Sequence, residues 1–338
     1  MVMVDGSHPL LFMHIPRTGG MSLFTAFCAR FGKRIGDLYD VSPLDAQEAA
    51  RLIRAPNLSI YCGHFCFGLH EWFDRPTCYA SVVRHPVERM ISLYYYLNVY
   101  RRRIRRLARE KKVTPAELFG DGSVPDYYAD FLPWLEGENR LETFLACPSA
   151  ELENGMVRRF SGVGLAVGPC VADALERAQE VIETCFSIVG VFERFACTLE
   201  RFKKTFGWPW LEAQPVNARP RLQPDVPAVT EKDKARIAEM NRLDMALYEW
   251  VMHRFDHRVR PGRTPVFVPG GKRSDFAQVP LWKAVGVSPW RKAAMQSGGP
   301  PAETIRGEKQ VTPRCQRRRM KRRTRAERRL HTERSSHD

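Results

Sequence analysis

The sequence predicts an α/β fold, a three-layer αβα arrangement in which helices cover both faces of a mostly parallel central sheet. Short apolar runs without polar alternation recur along the chain, as strands buried on both faces require. Segments with apolar residues at helical spacing follow them, and Gly, Pro or Thr stands at the junctions. With 338 residues and 44% hydrophobic content, the chain has enough apolar material for a sizeable core.

The first run, "PLLFMHI", stops at Pro16 and reads as a strand. "GMSLFTAFCARFG" follows, with Leu23, Phe24, Phe27 and Phe31 at helical spacing and Gly32 as a stop, so the order is strand, loop, helix. "LSIYCGHF" and "CYASVV" are two further buried strands. After the second, Pro86 suits the first turn of a helix, capped by His85 or Arg84, with Tyr94 to Tyr96 mostly in the core. "FSIVGVF" is another strand, and "ERFACTLERFKKTFG" the helix behind it. Thr230 caps one last long helix through Phe255, with Ile237, Met240, Leu243, Leu247 and Trp250 as its apolar stripe. Beyond it the composition turns to Pro, Gly, Ser and Arg. Residues 1–257 are therefore expected to form one domain, and 258–338 a basic, disordered tail.

The net charge of +15 is uneven: Pro301 to Asp338 hold 13 Lys and Arg against 5 Asp and Glu. This favours an anionic partner without choosing among nucleotide, acidic glycan, membrane and nucleic acid. Nine scattered cysteines with no CxxC pair exclude a disulfide framework and a zinc site. There is no basic leader before the first apolar run and no apolar stretch near the roughly 18 residues of a membrane span. A cytoplasmic location is expected.

The loop "HIPRTGGMSL" lies between the first strand and its helix. Amides at a helix start attract anions, and glycines let a phosphate approach the chain. Gly19 and Gly20 fit that role, Arg17 adds a forked cation, and Thr18 and Ser22 add hydroxyls. A tight packing turn explains the glycines equally well. In "SVVRHPVERMISLYYY", Arg84 leaves a strand end while Arg89 and Ser92 share a helix face. These residues suit a second phosphate; the alternative is that Arg89 pairs with a carboxylate. No Gly-Lys-Ser/Thr of a Walker loop is present.

Taken together, "HIPRTGGMSL" and "VVRHPVERMISLYYY" resemble the 5′-phosphosulfate loop and 3′-phosphate element of sulfotransferases that use 3′-phosphoadenosine 5′-phosphosulfate (PAPS). The group is that of heparan sulfate 2-O-sulfotransferase and its bacterial relatives. "YCGHFCFGLH", "NGMVRRFSG", "VGVFERFACTLERFKKTFGW" and "NRLDMALYEW" follow in the family's order, so the resemblance spans roughly residues 10 to 255. It implies a fold like that of P-loop nucleoside triphosphate hydrolases. It also implies that Arg17, Thr18, Gly19, Gly20, Met21 and Ser22 hold the phosphosulfate, and Arg84 with Ser92 the 3′-phosphate, without a metal. His64 in the Gly-His element resembles the catalytic base, and Arg17 would stabilise the leaving phosphate. The family usually has Lys at position 17 and Thr at 21; the first change keeps the charge, the second loses a hydroxyl.

His14, placed inside the first strand, and His70 read as structural, with His70 the one that can line an acceptor pocket. Asn154, Arg158 and Arg159 suit either ligand contacts or a solvated helix face. Glu193 and Arg194 suit capping and pairing, and "NARPR", Asn217 to Arg221, a loop closing over the nucleotide. The acceptor is a hydroxyl, carbohydrate before lipid or small-molecule alcohol. "YRRRIRRLAREKK", Tyr100 to Lys112, suits an anionic glycan or membrane surface, or plain solvation. The competing readings are a small-molecule kinase with a degenerate phosphate loop and a basic nucleic-acid-binding protein. The second lacks an aromatic stacking platform or helix-turn-helix pattern.

Overall fold

Five parallel strands lie in the order β2-β3-β1-β4-β5: β1 (Leu10–Met13), β2 (Ile35–Asp37), β3 (Ile60–Gly63), β4 (Thr77–Val83) and β5 (Phe186–Val191). The computed structural model describes residues 4–39, 51–120, 126–163, 168–213, 226–257 and 266–271. These belong to a compact unit, Met1–Ala293; a second unit, Ala294–Asp338, lies outside them, as does Asn217 to Arg221.

The expected layers are present. Along β1, Leu10 and Phe12 enter one cluster and Leu11 and Met13 another, so both faces are buried. Helices α1 (Gly20–Phe31) and α5 (Phe195–Phe206) cover the first face through Leu23, Phe27, Phe202 and Phe206. Helices α3 (Gly155–Ser161), α4 (Ala174–Cys185) and α7 (Arg242–His257) cover the other through Met156, Phe160, Ile182 and Leu247. A third cluster gathers α2 (Pro86–Lys111), short helical segments at Leu132–Glu136 and Leu141–Leu145, and Ile237 of α6 (Glu231–Met240). Burying each large apolar side chain contributes about 1.5–3 kcal/mol, which is why uninterrupted apolar runs become central strands.

Two local departures from the sequence reading have clear causes. The last helix is two helices, because Asn241 leaves helical geometry at φ −115°, ψ 32°. Its side-chain amide donates to Leu152 O and Ile237 O, and its Oδ1 accepts from the Asn154 N–H. Thr230 does cap the first of the pair, in a reciprocal capping box with Asp233. Past residue 257, Phe267–Val268 form β6, antiparallel to Thr77 and Cys78 of β4. The sheet thus receives a contribution from beyond the boundary expected at 257.

In this strand order the chain turns one way after β1 and the other way after β4. Ligands of open α/β sheets bind in the crevice that such a reversal opens beyond the carboxyl ends of the strands. His14 to Gly20, His64, and Arg84 with His85 all lie there.

Candidate active site

The loop between β1 and α1 is built around two residues in left-handed geometry, Arg17 at φ 71° and Gly19 at φ 85°. At Gly19 a Cβ would also meet the Phe192 ring at 2.7 Å, so glycine is required there for space as well as conformation. Thr18 is fully buried, and its hydroxyl donates to Ile15 O at 2.8 Å. That bond closes the loop on itself. Ser22 begins the helical ladder, its N–H donating to Gly19 O at 3.0 Å, and Met21 packs against the α1 side of the core. The first amides of α1 lie just past the loop that leaves β1, and the helix dipole adds partial positive charge at that end.

The two phosphate-type elements meet. Arg17 Nε donates to Ser92 Oγ at 3.1 Å, and Arg84 Nη1 donates to Arg17 O at 3.1 Å. The Arg17 guanidinium lies 4.3 Å from the centre of the Tyr96 ring, one turn beyond Ser92 on α2. Arg84 lies 4.5 Å from the Phe192 ring centre, with Glu88 3.9 Å away. A planar guanidinium can stack on a ring and donate sideways at once, which an ammonium cannot. Tyr96 was assigned to the core by sequence; its i, i+4 relation to Ser92 was the signal that linked it to the site.

His64 follows β3 directly. The residue is half-buried, and burial and the nearby Arg159 lower its pKa to about 3. Arg159 Nη1 donates to His64 O at 2.9 Å and is ion-paired with Glu151. Arg158 is bonded to Glu153 O and Gly168 O. Arg158 and Arg159 are both buried and bonded within the fold, so they do not form a solvated helix face. Asn154 accepts from the Leu243 and Asp244 amides at the start of α7.

Arg89 is fully buried, 3.4 Å from Glu151 and 3.7 Å from Asp244, so it pairs with carboxylates and does not face the crevice. Asp244 accepts the amides of Met156 and Val157 at 3.0 and 2.8 Å. Arg159, Glu151, Arg89 and Asp244 thus form an alternating buried chain of charges beneath His64. Glu193 accepts from the His85 N–H and from Tyr248 Oη, tying β5 to α2 and α7. His70 bonds to Tyr79, away from this crevice.

His14 stands just past β1, outside the strand that sequence assigned it to. Its ring centre is 5.0 Å from that of His64. Burial, followed by the fields of His64, Arg159 and Arg17, holds its pKa well below the ordinary value. Both imidazoles are therefore neutral in the fold and take up protons on unfolding. From the ordinary value of about 6.5 down to about 3 for His64, the unfolded chain binds more protons. Stability is complete above that window and falls as pH drops through it. Urea midpoints should be lower at pH 5 than at pH 7.5, and replacing both histidines by glutamine should flatten the difference. An unchanged slope would assign the acid sensitivity to other groups.

Among the described residues no helix is long and apolar enough to cross a membrane. A family model described as "Sulfotransferase family" matches residues 1–250 of the chain. No curated protein matches it.

Proposed function

The chain belongs to the sulfotransferase family, and from that premise we propose that it transfers a sulfuryl group from PAPS to an acceptor hydroxyl with His64 as general base. The observation that carries this reading is the convergence of Arg17, Arg84 and Ser92 at the N-terminus of α1, with His64 at the neighbouring strand end.

The residues fit the donor's charges. The α1 amides, Gly19, Gly20 and Ser22 would hold the 5′-phosphosulfate, with Thr18 shaping the loop and Met21 contributing backbone. Arg84 and Ser92 would hold the 3′-phosphate. His64 takes the proton as the acceptor oxygen bonds to sulfur and the bond from sulfur to the phosphate oxygen breaks. Arg17 neutralises the charge left on that phosphate. Its guanidinium is not a practical acid, but a stable phosphate anion needs charge stabilisation more than a proton. The low pKa keeps His64 unprotonated through the neutral range. Burial first, and then Arg159, depress its basicity, and an anion bound nearby would favour the protonated form that the transfer produces.

The reading needs no metal, which separates it from a kinase that binds ATP through Mg²⁺. The acceptor is assigned to carbohydrate, with lipid or small-molecule alcohols as alternatives, and the location to the cytoplasm. Along α2, Arg101 turns inward to donate to Trp134 O. Arg102, Arg103, Arg106, Arg109, Lys111 and Lys112 are exposed, and that face would contact an anionic glycan or membrane surface. The deciding experiment is thermal unfolding with adenosine 3′,5′-bisphosphate in EDTA. At a hundredfold excess over Kd, binding stabilises the fold by about 2.7 kcal/mol, which raises Tm measurably. No shift with the bisphosphate, beside a shift with ATP and Mg²⁺, would replace this reading with the kinase.

A further inference from the structure

His14 lies where the strand has ended and the loop has not yet turned. Its backbone N–H still donates to Gly63 O at 3.0 Å, which fixes the residue beside β3. Its ring occupies the space that a side chain on Gly20 would need: a Cβ there would lie 2.0 Å from Cδ2 and 2.5 Å from Nε2. Gly20 is the first residue of α1, and a helical Cβ leans toward the helix N-terminus. Nε2 therefore lies against the first turn of α1, on the side toward the loop that precedes it. The other ring nitrogen, Nδ1, is 2.6 Å from the Tyr39 hydroxyl. The Tyr39 ring stands edge-on to both histidines, 5.5 Å from His14 and 4.9 Å from His64.

We propose that His14 is a donor-binding residue: Tyr39 donates its hydroxyl proton to Nδ1, which leaves the ring proton on Nε2, and Nε2–H donates to the anion at the N-terminus of α1. This rests on the reading of that loop as the phosphosulfate site.

The direction of the Tyr39 bond follows from acidity, since a phenol is a stronger proton donor than a neutral imidazole N–H. Burial keeps both partners in their neutral forms, raising Tyr39 and lowering His14. A neutral ring suits the position. It supplies an N–H to the anion without adding a charge among Arg17, Arg159 and His64, which all disfavour a cation there. Gly20 then has two roles, admitting the anion to the chain and admitting the ring.

The test separates a donor from a packing ring. Glutamine reaches far enough to place an N–H near the Nε2 position, whereas asparagine reaches only as far as Nδ1. For the full chain, calorimetry with adenosine 3′,5′-bisphosphate should show His14→Asn weakened about tenfold or more, as for a lost hydrogen bond to a charged group, and His14→Gln within about threefold of the parent. Equal affinity for the parent and both variants would overturn the proposal. Nitrogen NMR of the unsubstituted protein tests the tautomer independently of folding: the ring proton should be on Nε2, and Tyr39→Phe should mix the tautomers. A proton on Nδ1 in the parent would also overturn it. If the parent itself fails to bind the bisphosphate while its ring proton is on Nε2, the failure belongs to the donor-site reading and not to the Tyr39–His14 pair.

Discussion

Replacing His64 by alanine should lower sulfuryl transfer by about 10²- to 10⁴-fold, the range for losing a positioned general base, while bisphosphate affinity stays close to that of the parent. The split follows from where the residue stands. His64 follows β3, whereas Arg17 lies in the loop after β1, Arg84 just past β4 and Ser92 on α2. Its ring is neutral, so its removal takes no positive charge from a phosphate site. Single-turnover rates with saturating PAPS, measured beside calorimetric Kd values, check both halves. Turnover within a factor of a few of the parent would remove His64 from the mechanism. Equal losses in binding and rate would make it a donor-site residue.

The second large effect is on stability. Arg159→Met should cost about 3–5 kcal/mol, the usual penalty for stranding one partner of a buried ion pair. In the alternating chain Arg159, Glu151, Arg89, Asp244, losing the terminal cation leaves two buried carboxylates against one arginine. His64 O loses a donor as well. A sharper outcome follows for the double variant. With Arg159→Met and Glu151→Leu together, the remaining Arg89 and Asp244 balance, so the double variant should be more stable than Arg159→Met alone. Urea unfolding of the three proteins decides this. If the second substitution lowers stability further, packing and not charge balance sets the value of the network.

Strands β1, β3, β4 and β5 were readable because each is a mostly apolar run without polar alternation, a pattern that both-sided burial imposes directly. Helix α1 was readable from Gly32, which stops it at φ 57°, and α2 from Pro86 at its first turn. β2 and β6 were not, since three residues, "IGD", and two, "FV", are too few to carry a period. The break at Asn241 was hidden because it depends on Leu152 and Asn154, almost ninety positions away in the chain. The surroundings of Arg158 and Arg159 on α3 were hidden for a related reason. Two adjacent arginines ordinarily mark a solvated face, and nothing local shows that Glu151 and backbone carbonyls receive them in the core.

The sequence by itself determined the layered fold and the presence of a glycine-containing strand-to-helix loop and a second cationic element, because backbone geometry and apolar periodicity are properties of neighbours. Gly19, Gly20 and Pro86 act within a turn of where they stand. Only the tertiary structure decided which side chains share the crevice. It placed Arg17 between Ser92 and Tyr96, turned Arg89 into the core, and set His14 and Tyr39 beside His64. Charge and hydrogen-bond partners act across a few ångströms of space, and the parallel sheet brings the ends of separate strands within that range.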